Sequence, residues 1–192
     1  MVRRVCKTLA AIAMALVLGL PVMVQGAEFD LSKFNQEVGL NFAYGKNTHG
    51  ANVQIYSLLP HWGMFLVRPG QQMGPFGISF LVEGIISVAS AEETGFELGF
   101  TPMFRLSALV FPGVLAHIEG GAGMITESID SPAIAHAFNF TPQAGGGVDI
   151  ALNPQLALQV AYRFRHSSNA GIYKENPAFN VNFFQAGLNY YY

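Results

Sequence analysis

The chain is poor in the groups that carry most solution chemistry. Its 192 residues include one cysteine, Cys6, one tryptophan, and only 11% charged side chains, where soluble domains carry about 25%. A lone cysteine excludes a disulfide framework and a cysteine-rich metal centre. A formal net charge of −2 with no basic cluster excludes an electrostatic nucleic-acid partner. Past residue 27 no apolar run approaches the ~20 residues of a membrane-spanning helix. Yet 51% of the chain is hydrophobic and 12% aromatic. No internal repeat or linker divides it.

One long apolar run does occur, at the start. Arg3, Arg4 and Lys7 precede an uncharged stretch from Leu9 to Val24, followed by the small residues Gly26 and Ala27. This is the pattern of a secretory signal peptide, so residues 1–26 are expected to be removed and 27–192 to form the mature domain. The run is at the short end for a retained anchor. Cleavage takes Cys6, three of the ten Lys/Arg and none of the twelve Asp/Glu, leaving a net charge of −5.

The remaining apolar residues come in short alternating segments, and side chains along a strand alternate between two faces. Eight segments can be read: 36–45, 51–60, 77–88, 95–106, 113–125, 143–152, 155–168 and 180–192. In the fourth, Phe96, Leu98, Phe100, Phe104 and Leu106 oppose Glu97, Gly99, Thr101 and Arg105. Such a chain hides its backbone polarity in lipid by closing into a barrel. The expected fold is therefore all-β: an eight-stranded antiparallel transmembrane β-barrel of the outer-membrane type. Its C-terminal aromatic row, ending in Tyr190 and Tyr192, resembles the terminal signal of outer-membrane barrels.

The polar faces gather Glu83, Glu97, Glu119, Asp149, Arg105, Arg163 and Arg165. Eight strands leave room for side chains and not for a pore, so these charges and His117 are expected to pair in a filled lumen. His49, His61 and His136 have no second ligand at metal spacing and are assigned to loops or interfaces. Neither a metal nor a cofactor is expected. Ala144-Gly-Gly-Gly147 lacks the Lys-Ser/Thr of a phosphate loop, and close strand packing is its expected role.

An even strand number places both termini in the periplasm. Strand seven then delivers its end to the cell surface, with 46–50, 89–94, 126–141 and 169–179 as external loops and 126–141 long enough to cover that end. Along this strand Leu156, Leu158, Val160, Tyr162 and Phe164 form one apolar face, and His166 and Ser168 continue it. A histidine and a serine two positions apart share a face, ~6.5–7 Å apart along the strand, and can lean together for proton transfer.

Arg165-His-Ser-Ser-Asn-Ala-Gly-Ile172 resembles the H-x-S-N-A-G signature of outer-membrane lipid A 3-O-deacylases, whose eight-strand plan also fits the mature chain. The resemblance implies hydrolysis of an ester-linked acyl chain from lipid A, within lipopolysaccharide, at the outer leaflet. It implies Ser168 as nucleophile, His166 as general base, and Asn169 with nearby backbone amides, including that of Gly171, as oxyanion donors. The family pattern has a glutamate twelve residues after the serine, and here Asn180 stands there. Asn180 shares parity with Tyr190 and Tyr192 and is the expected histidine orienter, with Glu175 as the alternative. The other reading of the chain is a noncatalytic structural or adhesive barrel with His166 and Ser168 as rim residues. A homodimer could bury part of the aromatic exterior, and lipid would satisfy it equally well.

Overall fold

The computed structural model describes residues 28–29, 31, 33–49, 52–91, 93–129, 134 and 136–192. The expected signal peptide and its cleavage site lie outside the described residues. The eight strands are β1 (Gln36–Asn47), β2 (Gln54–Val67), β3 (Phe76–Ser90), β4 (Thr94–Phe111), β5 (Val114–Glu127), β6 (Phe138–Ala151), β7 (Leu156–Ser167) and β8 (Phe179–Tyr191). Each pairs antiparallel with the next, and β8 pairs with β1 to close the barrel. Closure leaves no sheet edge to be satisfied in lipid.

Several strands outrun their sequence expectation, and β4 runs on to Phe111 instead of 106. β2 continues to Val67 instead of ending at residue 60. Pro60 lies on the outward row, and the β2–β3 ladder steps over Leu59 and Pro60 before resuming at His61↔Glu83. The missing N–H of proline thus opens a gap without ending the strand. His61 falls on this extension, which corrects its assignment to a loop or interface. It is 6% exposed, points into the lumen, and has Nε2 3.9 Å from Glu37 Oε1. β6 starts at Phe138 instead of 143, shortening the long loop to 128–137.

The lumen is filled in three layers. At the loop end an apolar cluster includes Ile55, Leu59, Ile85, Ile125, Val181 and Phe183. At the end where the termini meet, Leu31, Phe65, Leu115 and Tyr191 form a second cluster, joined by Phe29 and Phe34. Between them lies the charged layer. Arg105 reaches Glu37 at 2.9 Å and Glu119 at 3.0 Å. Arg163 bridges Glu83 and Glu119 and His117 lies 3.2 Å from Asp149, while the Arg165–Glu97 pair, at 2.5 Å, sits nearer the loops, in register with Val181 of the apolar cluster. A cavity among Ser57, Glu83, Gln143, Arg163 and Arg165 measures about 10 Å³, no more than one water needs.

The glycine run packs as expected. A Cβ on Gly145 or Gly147 would meet the carbonyl oxygens of Tyr162 and Val160 on β7, so side chains there would push β6 away from the strand that carries the candidate site.

Candidate active site

β7 and β8 oppose His166 to Asn180 in direct Cα register, with both side chains on the outward row. The contact follows from that register: His166 Nδ1 lies 2.6 Å from Asn180 Oδ1. With Asn180 Oδ1, which can only accept, facing the ring, the contact requires the proton on Nδ1 and leaves the lone pair on Nε2. Nε2 is the nitrogen then free to act as a base. Ser168 follows on the same row. Its neighbour Ser167 turns into the lumen and is 2% exposed, so of the two serines Ser168 is the one on the histidine's face.

Ser168 sits one residue past the end of β7, where a strand would ordinarily fray. It is pinned by an isolated bridge to Phe140 on β6: Phe140 N donates to Ser168 O at 2.8 Å and Ser168 N to Phe140 O at 3.1 Å. Phe140 and Phe138, in edge contact at 5.2 Å, flank the serine on the β6 side. Immediately beyond, Ala170 and Gly171 both take left-handed conformations, with φ of 54° and 82°. Glycine accepts this freely, whereas alanine is strained by about 1–2 kcal/mol.

Asn169 holds that strained turn. It is 1% exposed; its Oδ1 accepts from Gly171 N at 2.9 Å, its Nδ2 donates to Glu175 O at 2.7 Å, and its own N–H donates to Asn176 Oδ1 at 2.8 Å. Both donors that the family resemblance implies, Asn169 Nδ2 and Gly171 N–H, are thus engaged within the loop in this conformation. Glu175 is not brought to His166. Its carboxylate is largely exposed and stands 3.7 Å from His136 Nε2. His136 in turn stacks on Tyr173 at 4.0 Å, so the 128–137 loop reaches across to the 168–178 loop beside the serine. Among the described residues no cluster of metal-type ligands is assembled.

The surroundings of the pair are not legible in the sequence. Phe138 belonged to the expected loop, and its place beside Ser168 depends on the β6–β7 register, which one strand's pattern does not contain. The residues across β8 were missed for the same reason. Tyr162 OH donates to Asn182 Oδ1 at 2.6 Å, a polar contact on an otherwise apolar face.

Residues 67–189 match the model of the lipid A 3-O-deacylase (PagL) family. Among solved structures, the outer membrane enzyme PagL superposes with a TM-score of 0.63 at 18% identity, over 78% of this chain and 97% of that one. Neisserial surface protein A aligns with a TM-score of 0.55 at 12% identity, over 82% and 97%. The attachment invasion locus protein Ail of Yersinia pestis aligns with a TM-score of 0.56 at 10% identity, over 83% and 99%. At these identities the structures establish a shared barrel fold. No curated protein sequence matches.

Proposed function

We propose that this chain, which belongs to the lipid A 3-O-deacylase (PagL) family, hydrolyses the 3-O-linked acyl ester of lipid A with Ser168 as nucleophile and His166 as general base. Family membership supports the hydrolase activity and the lipopolysaccharide substrate, and the barrel supports an outer-membrane location. The observation that carries the mechanism is the 2.6 Å contact of His166 Nδ1 with Asn180 Oδ1, on the lipid-facing row two residues from a backbone-pinned serine.

The steps follow from that geometry. Asn180 fixes the imidazole with Nε2 free, and Nε2 takes the Ser168 Oγ proton as Oγ attacks the ester carbonyl. The oxygen of the tetrahedral intermediate develops charge beside the 168–178 turn, where Asn169 Nδ2 and Gly171 N–H exchange their loop acceptors for it. His166 then protonates the departing sugar 3-oxygen. Water, deprotonated by the same Nε2, releases the fatty acid from Ser168. The scissile bond approaches laterally from the outer leaflet, because His166 and Ser168 open onto the lipid-facing surface and not into the filled lumen.

An alkyl phosphonate ester that mimics the tetrahedral intermediate tests this assignment. It is expected to form an adduct on the peptide containing Ser168, with no adduct in Ser168→Ala and labelling at least about 100-fold slower in His166→Asn. Labelling of another serine, at equal rate in Ser168→Ala, would sink the mechanism.

A further inference from the structure

The outward face continues past Asn180 onto β1, and it changes character there. Asn182, one outward position along β8 from Asn180, is in Cα register with Phe164 on one side and Lys46 on the other. Phe184 and Tyr44 are paired in the same way. Tyr44, Lys46, Asn182 and Phe184, with Thr48 and His49, line an open groove of about 690 Å³. The β1–β2 loop is tied to the candidate site itself, since Thr48 N donates to Asn180 O at 3.0 Å.

The groove is built for an anion beside an apolar wall. Lys46 is exposed on the lipid-facing row. A lysine there destabilises a barrel by about 2–4 kcal/mol at mid-membrane and by almost nothing at the interface, so this row position suits the headgroup level. Tyr162 OH occupies Asn182 Oδ1, which leaves the Asn182 NH₂ as a donor into the groove. None of the described lining residues is acidic. Lys46 is level with Phe164, so it stands two strand spacings, about 10 Å, across from β7 and four residues, about 13 Å, along it from Ser168, roughly 16 Å in all. A lysine leaning back across β8 shortens that span to the reach of an extended glycolipid headgroup.

We propose that Lys46 and Asn182 form an anion subsite that holds a phosphate monoester of the glycolipid headgroup whose ester lies at Ser168. The identity of the lipid rests on the deacylase reading above; the subsite rests on the groove. It orients the sugar across β8 and β1 and leaves the scissile acyl chain to the β6 side, against Phe138 and Phe140.

Binding in the Ser168→Ala background separates the two claims. The detergent-solubilised barrel is titrated with lipid A, and with the same lipid after removal of its phosphates, and read by native mass spectrometry. Phosphorylated lipid is expected to bind about tenfold or more tightly, the worth of a charge-assisted contact. Adding Lys46→Ala is expected to erase that preference, Lys46→Arg to retain most of it, and Lys174→Ala, in the 168–178 loop, to leave it intact. Equal binding of both lipids, a preference that survives Lys46→Ala, or equal losses from Lys46→Ala and Lys174→Ala would overturn the subsite. A Lys46-dependent preference in a barrel whose Ser168-containing form hydrolyses neither lipid would uphold the subsite and reject the esterase.

Discussion

Asn180 is the residue at which this chain departs from the acidic pattern it resembles, and its consequences are electrostatic. A neutral amide can fix the histidine tautomer through the 2.6 Å contact, yet it offers the imidazolium of the transition state no countercharge. Asn180→Glu is therefore expected to raise kcat by about tenfold or more, and Asn180→Leu to lower it by about 100-fold, both with little change in KM. Steady-state kinetics on purified lipid A checks both. Identical kcat in all three proteins would mean that His166 is oriented by something else. The assignment of His166, Ser168 and Asn180 to one face was legible in the sequence because period two along β7 and β8 places them there without knowledge of other strands. Lys46 and Phe140 were not, since their proximity is a product of cross-strand register.

At the level of elements, alternation revealed strands wherever the two faces differ in polarity, and blurred where they do not. β4 is unambiguous because Glu97, Thr101 and Arg105 oppose phenylalanines. At the loop end of the lumen Ile55, Leu59 and Phe183 are apolar and inward, so both faces read as grease and the period fades. Pro60 and Pro142 lack the N–H that a strand ladder uses, yet each sits inside a strand. The N-terminal plug of Phe29 and Leu31 against Tyr191 has no periodicity at all. The 168–178 loop is an element of its own, ordered by Asn169. Asn169→Ala removes two side-chain bonds of that turn and a candidate oxyanion donor. It is expected to lower kcat by about 100-fold while leaving the unfolding midpoint of the barrel unchanged, because the turn lies outside the closed ladder. A large drop in midpoint would make Asn169 a structural residue of the barrel.

For the whole molecule, the lumen carries the charged network and the exterior carries the candidate site. Arg163 on β7 joins Glu83 on β3 to Glu119 on β5, tying distant strands through the interior. Arg163→Met would leave two buried carboxylates short of a partner and is expected to destabilise the barrel by about 3–5 kcal/mol. Urea unfolding in lipid vesicles measures this, and a loss below about 1 kcal/mol would show that the network relaxes around the gap. Such a rigid, filled interior holds β7 and β8 in the register on which the outward-facing site depends. The central claim, that this surface cleaves lipid A, is tested most directly by expressing the chain in outer membranes and weighing the extracted lipid A. Loss of one ester-linked hydroxyacyl unit is expected with Ser168 present and none with Ser168→Ala. Unchanged lipid A from a correctly folded wild-type barrel, or equal loss with Ser168→Ala, would contradict it.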